Sequence, residues 1–382
     1  MRPIYLDYAA TTPVDPRVAA AMAPYLTERF GNASSVHSFG QEAREAVERA
    51  RAQIAAALGA APEEVVFTSG ATEADNFALF GVAEACRERG RHVVVSAVEH
   101  HAVLEPAQVL AARGFEVTIL PVDGAGRVDP DAVRRALRPD TILVSVMHAN
   151  NEIGTVQPVA EIGRLTRERG IRFHCDAAQT FGLLPTDVDA LGVDLLALSA
   201  HKRYGPKGVG ALYIRRGTPL ERFLHGGSQE RNRRAGTLNV PAIVGFGEAV
   251  RIALAEREVE VARLRRLRDR LVAGLLALDG ARLNGHPTER LPGNVNVSFR
   301  GADSEALLLA LDLQGIAASS GSACTAGSLE PSHVLSAIGL PPEEAAGTLR
   351  FSLGRWTTEA EVDRVLEVMP AVLATVRAAF VA

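Results

Sequence analysis

Between about residues 64 and 215 the chain alternates two hydrophobic patterns. Short apolar runs rich in valine, isoleucine and leucine ("EVVFT", "HVVVSAV", "FEVTILPV", "TILVSVMHA", "IRFHCDAA", "DLLALSA", "VGALYIRR") predict strands. Longer stretches such as "TEADNFALFGVAEACRERG" and "VAEIGRLTRERG" predict helices, the second closing on Gly170. Strand and helix in alternation imply an α/β fold, a mostly parallel sheet with helices on both faces. From about residue 240 the text becomes a long helical pattern, "AVRIALAEREVEVARLRRLRDRLVAGLLAL", with leucines and valines at helical spacing. Shorter strands ("NVNVSF", "TLRFSL") and helices ("SEALLLALDL", "EAEVDRVLEVMPAVLATVRAAF") follow, an α+β pattern. The expected organisation is a large α/β domain over 14–255 and a smaller α+β domain built from 1–13 and 256–382.

A chain of 382 residues with 47% hydrophobic and 23% charged residues is that of an ordinary globular enzyme. The formal charge of −4 gives no footprint for nucleic acid or an acidic membrane surface. The N-terminus has no apolar run after its early arginine and no apolar stretch reaches 18 residues, so a cytoplasmic protein is expected, with no membrane span. Cys86, Cys175 and Cys324 are odd in number and far apart, which suits neither a disulfide framework nor a zinc site, and no metal centre is expected. Of the 41 basic residues only Lys202 and Lys207 are lysines. Where only positive charge is needed this chain has arginine, so a surviving lysine hints at amine chemistry.

In parallel sheets ligands bind outside the carboxyl ends of the strands, so the residues after each run matter most. "SGATEADN" follows "VVFT", and a helix opening at about Thr72 offers backbone N–H groups to a phosphate; a helix cap by Thr72 is the plainer alternative. "EHH" follows "VVVSAV" without metal-ligand spacing, and His100 suits a ring stacked on a flat cofactor or a proton shuttle. "NNEIG" places Asn150 and Asn151 at a turn. His174 and Asp176 share one face of a strand while Cys175 points to the other, so Asp176 is a carboxylate at the end of an apolar strand and wants a cationic partner. "HKRYGPKG" puts Ser199, His201 and Lys202 at the next strand's end, with Lys207 in a Gly-Pro turn. Each feature alone is weak. Together they describe pyridoxal phosphate: a lysine for the Schiff base, an acid for the pyridine nitrogen, and a helix start for the phosphate.

"SSGSACTAGS" places Cys324 among small polar residues and glycines, an unusual setting for a thiol that usually packs in a core. With "YLDYAATTP", "FGNASSVHSFG", "SGATEADN", "EHHAV", "NNEIGTVQP", "HCDAAQ", "SAHKRYGPKG", "RAGTLNV", "SSGSACT" and "LRFSLGR" in one order along nearly the whole chain, the sequence resembles the NifS/IscS-type cysteine desulfurases. These are fold-type I pyridoxal phosphate enzymes of the class V aminotransferase family. The resemblance implies Lys202 as the lysine that carries the cofactor, Asp176 on its ring nitrogen, Gln179 near its ring oxygen, and His100 stacked on the ring. It implies Ala71, Thr72, Ser199 and His201 at the phosphate, and Thr237 at the phosphate of a neighbouring subunit, hence a homodimer. Asn151 and Arg350 would hold the carboxylate of L-cysteine. Cys324, on a mobile loop over about 319–330, would attack the substrate sulfur with His100 as a candidate base, keep it as a persulfide, and pass it to a protein acceptor such as an iron–sulfur scaffold or sulfur carrier; Cys324 would also be placed to contact a transferred cluster. The chain ends at Ala382 without the longer tail some relatives use to dock a scaffold, so sulfur mobilisation is a firmer expectation than delivery. A selenocysteine lyase, another pyridoxal phosphate enzyme of the same fold, or a non-enzymatic sulfur carrier are the alternatives.

Overall fold

The computed structural model describes residues 3–320 and 332–381. All seven apolar runs of the α/β pattern are strands of one sheet. In chain order the strands begin with β1 (Ile4–Tyr5), followed by β2 (Val65–Thr68), β3 (His92–Ser96), β4 (Glu116–Leu120), β5 (Thr141–Ser145), β6 (Arg172–Asp176), β7 (Leu195–Ser199) and β8 (Gly210–Ile214). The large sheet has the order β2-β8-β7-β6-β5-β3-β4. Its strands β3 to β7 pair in parallel. β8 runs antiparallel to both β7 and β2, so β2 points the same way as the parallel set. The carboxyl ends of β2, β3, β5, β6 and β7 therefore open on a single edge.

The longer helices are α1 (Ser38–Leu58), α2 (Ala71–Ala85), α3 (His101–Ala112), α4 (Val159–Glu168), α5 (Val240–Leu276), α6 (Ser304–Leu313) and α7 (Glu359–Val381). Alternate residues of a strand go to opposite layers: Val93 and Val95 pack with Phe77, Val82 and Leu110 of α2 and α3, whereas Val94 joins Val47, Ile54 and Leu58 of α1 and Phe246 of α5. A sheet covered on both faces reads as unbroken apolar runs, which is why these strands stood out in the sequence.

The smaller sheet is antiparallel, with the order β12-β10-β9 over Ala281–Leu283 (β9), Asn294–Phe299 (β10) and Thr348–Ser352 (β12). It shares a core with α6, α7 and the second half of α5, through Leu264, Leu267, Leu271 and Leu275. α5 thus belongs to both cores, since Val240, Ile243 and Phe246 in its first half pack under the large sheet. β1 pairs in parallel with β11 (Ile316–Ala317), which draws the N-terminus to the smaller sheet before the chain crosses the edge of the large one. Strands as short as β1, β9 and β11 show no period in the sequence. Among the described residues no helix is long and apolar enough to cross a membrane.

Candidate active site

A cavity of about 540 Å³ lies at the carboxyl edge of the large sheet. Ala71, Thr72, His100, Asn151, Asp176, Gln179, Ser199, His201, Lys202 and Arg350 all line it, gathered from positions 279 apart at the extremes of that set. Thr237 does not: it is exposed, just ahead of α5. Its neighbour Arg234 holds Glu73, in the first turn of α2, at 2.8 Å. Cys324 lies outside the described residues. Of the described residues that flank it, Ser319 exchanges two backbone hydrogen bonds with the cavity residue Arg350, at 2.6 and 3.1 Å, and Ser332 donates to Glu152 Oε2 at 2.6 Å.

α2 begins at Ala71 with Gly70 as its cap residue and no side-chain cap, so the capping role open to Thr72 is not used. The first backbone N–H groups of a helix have no partner within it, and here they face the cavity beside Ser69 and Gly70. Space is made for them by Gly210 on β8, where a Cβ would sit 2.4 Å from the carbonyl oxygen of Leu198 and 2.7 Å from the Gly70 backbone.

Asp176 ends β6 and is 6% exposed. Its Oδ1 accepts the Ala178 amide at 2.8 Å. Burial raises its pKa, opposed by that hydrogen bond and by the nearby His100 and Lys202. Lys202 follows β7, the strand adjacent to β6, in a 3-10 turn over Ala200–Lys202. His100 caps α3, its Nδ1 accepting the Ala102 amide at 3.0 Å. Burial lowers the His100 pKa, which Asp176 resists and Lys202, His101 and His333 reinforce, so the ring is neutral near pH 7. Burial, with help from Lys202 and Lys207, depresses His201 to about 4. Lys207, read from the sequence as a turn residue, also lines the cavity.

A further wall comes from residues 7–12, which carry no assigned role above. Ala9 and Ala10 offer their carbonyl oxygens to Lys202 Nζ, each at 2.7 Å. Ala9 O also accepts from Gln179 Nε2 at 3.0 Å, and Thr11 Oγ1 meets His201 Nδ1 at 3.1 Å. Two residues earlier, Asp7 pairs with Arg350 at 2.8 Å. Most of these contacts go through backbone atoms, for which a residue string has no symbol.

The residues present fit pyridoxal phosphate. Helix-start amides with Ser199 and His201 suit its phosphate, and a buried carboxylate and an amine from adjacent strands suit its ring and its aldehyde. No group of three His, Cys, Asp or Glu among the described residues is placed to hold a metal ion. Cys86 and Cys175 are buried, and burial raises both thiol pKa values, which removes them as nucleophiles.

Comparison with known proteins agrees with this chemistry. The aminotransferase class-V family model matches residues 4–365. The cysteine desulfurase IscS of Dictyoglomus turgidum is 53% identical over 98% of this chain and 96% of its own length. That of Methanosarcina thermophila is 54% identical over 98% of this chain and 93% of its own. A solved NifS-like protein superposes with a TM-score of 0.92 at 40% identity, covering 98% of this chain and 100% of the other. SspA in complex with cysteine superposes with a TM-score of 0.83 at 38% identity, covering 93% of this chain and 100% of the other.

Proposed function

Because the chain belongs to the aminotransferase class-V family, and within it is a pyridoxal-phosphate-dependent cysteine desulfurase that converts L-cysteine to L-alanine and passes the sulfur to an acceptor, we propose a role for each residue at the cavity. One observation carries the assignment: the Lys202 amine and the Asp176 carboxylate, from adjacent strands, line one cavity with a helix start at its rim.

When bound, pyridoxal phosphate supplies a covalent anchor for the substrate amine and a sink for the electrons left on its α-carbon. Ala71, Thr72, Ser199 and His201 would hold the phosphate, and Thr237 of a second copy would reach it, which would make the working unit a homodimer. Asp176 would pair its carboxylate with the ring nitrogen, Gln179 would bond the ring oxygen, and the neutral His100 would stack on the ring. Arg350 and Asn151 hold the substrate carboxylate, the arginine supplying paired N–H donors. Lys202 takes the α-proton and returns it. Its amine donates to the carbonyl oxygens of Ala9 and Ala10, each at 2.7 Å, which tether it at the cavity.

Cys324, as a thiolate, attacks the sulfur of the bound cysteine. An S–S bond forms as the substrate's carbon–sulfur bond breaks; the electron pair of that bond stays with the β-carbon, which takes up the proton that Cys324 gave up as it became a thiolate and so completes the alanine methyl group. The persulfide sulfur then goes to a protein acceptor of the iron–sulfur scaffold or sulfur-carrier kind. Ser319, whose backbone pairs with that of Arg350 at the cavity, stands five positions before Cys324 in the sequence. The buried, unpaired Cys86 and Cys175 thiols accord with a cytoplasmic setting.

The test is a spectrum of the purified protein before and after L-cysteine, with alanine measured. A yellow protein that releases alanine, and a Cys324→Ala variant that does not, support the reading. Equal alanine from Cys324→Ala overturns the role of Cys324, and a strong preference for L-selenocysteine identifies a selenocysteine lyase instead.

A further inference from the structure

Arg350 is 1% exposed, and a guanidinium taken out of water needs a counter-charge. Among the described residues that charge comes from Asp7, whose Oδ1 accepts from Arg350 Nη2 at 2.8 Å. Nη1 donates to the Asn151 carbonyl at 3.1 Å. Nε is buried and has no hydrogen-bond partner among the described residues. The planar group is thus fixed at two of its three nitrogens, and the third keeps a donor unused. Asp7 is also two residues from Ala9, whose carbonyl holds Lys202. One short piece of backbone therefore spaces the arginine from the amine.

We propose that Asp7 is a positioning residue for the substrate's α-carboxylate: it fixes the plane of the Arg350 guanidinium that grips the carboxylate, and the Asp7–Ala10 segment sets the distance from that grip to the Lys202 amine. The proposal rests on the assignment of Arg350 to the substrate carboxylate. Asp7 is an anion and in principle competes with the substrate for the same arginine. The guanidinium argues against competition: it carries five N–H donors in fixed directions, and Asp7 and the Asn151 carbonyl engage one each on Nη2 and Nη1, so donors remain for a second carboxylate. The Asp7 backbone is also tied down, by a bridge to Ser352.

The experiment is calorimetric binding of the product L-alanine, and of ethylamine, which is the same amine without the carboxylate, to the holoenzyme and to its Asp7→Asn, Asp7→Ala and Arg350→Gln variants. Asp7→Ala is expected to weaken L-alanine about tenfold, equivalent to about 1.4 kcal/mol. Asp7→Asn, whose amide oxygen still accepts from Nη2, loses about threefold and keeps the test valid should Asp7→Ala fail to fold. Ethylamine is expected to bind all of them alike. Unchanged or tighter L-alanine binding in both Asp7 variants overturns the proposal, and so does an equal loss for both ligands, which places Asp7 in the fold instead of the carboxylate grip. Arg350→Gln is the separate check: if it keeps the preference for L-alanine over ethylamine, the Arg350 assignment itself is wrong.

Discussion

The carboxyl group of Asp75 on α2 and the imidazole of His174 on β6 meet at 3.3 Å between Oδ1 and Nε2, both shielded from water. Burial, with Asp176 and Glu99 nearby, raises Asp75 well above the usual carboxylate range, and burial pushes His174 down to about 3. His174 is therefore neutral at neutral pH, and burial favours the protonated carboxyl of Asp75 beside it. His174 Nδ1 lies 2.8 Å from Ser145 Oγ, the direction of that bond being set by the tautomer. Asp75→Asn keeps a neutral donor and is expected to change stability by less than about 1 kcal/mol, whereas His174→Phe strands the Asp75 proton and the Ser145 hydroxyl and costs about 1–3 kcal/mol. Urea denaturation measures both. A true ion pair predicts the reverse for Asp75→Asn, a loss of about 3–5 kcal/mol from an unmatched buried cation.

Glu99 gives the fold a pH dependence of definite sign. Its Oε1 accepts the Met147 amide at 2.8 Å, and burial raises its pKa to about 8. The folded protein therefore holds a proton that the unfolded chain loses near pH 4.5. The associated stability is fully present below about pH 4.5 and is lost as pH rises toward about 8. Glu99→Gln keeps the acceptor for Met147 and has no proton to lose. Its stability is expected to fall less than the wild type's between pH 5 and 8, as measured by thermal or denaturant unfolding in that window; parallel curves count against the neutral, buried Glu99.

Asp176→Asn retains an acceptor oxygen for the Ala178 amide and removes the charge proposed to face the cofactor's ring nitrogen. The expected result is a cofactor still held by its phosphate and a kcat lower by about 10²–10³, the usual cost of removing a preorganised electrostatic partner. Absorbance of the dialysed protein reports retention and alanine release reports turnover. Full activity in Asp176→Asn counts against this role.

Much of this was legible in the sequence for a physical reason. Strands covered on both faces leave unbroken apolar runs, and the residue after each run marks the ligand edge, so Asp176 and Lys202 were found without coordinates. Thr237 was readable only through resemblance, because its proposed target is on another copy. The Asp7–Thr12 wall was not readable: Lys202 and Ala9 are 193 positions apart and meet through a carbonyl. Asp75 escaped notice because a helical acid looks solvent-facing until the strand beneath it is placed. His174 was assigned to the face of Asp176 by strand alternation, yet its role as a neutral partner depends on that same packing.

Gly210 tests whether the proposed phosphate site at the start of α2 depends on close backbone approach. It opens β8 and pairs with Thr68 at the end of β2 on one side and with Ser199 at the end of β7 on the other. It is therefore wedged between the two strand ends that carry Gly70 and Ser199. An alanine Cβ there would lie 2.7 Å from the backbone of Gly70 and 2.4 Å from the carbonyl oxygen of Leu198, and neither is the end of a flexible side chain that can move aside. The sheet must spread, and the first amides of α2 move with Gly70. Gly210→Ala is expected to lower stability by about 1–3 kcal/mol, the range for overpacking a buried site, and to weaken cofactor affinity by about tenfold. The measurement is cofactor release on dilution, set beside Gly208→Ala, a nearby glycine whose Cβ would meet nothing within 4 Å but whose φ of +78° imposes backbone strain of its own. Loss of stability in both variants with weaker cofactor binding in Gly210→Ala alone locates the effect at the cradle; equal cofactor affinity in the two refutes it.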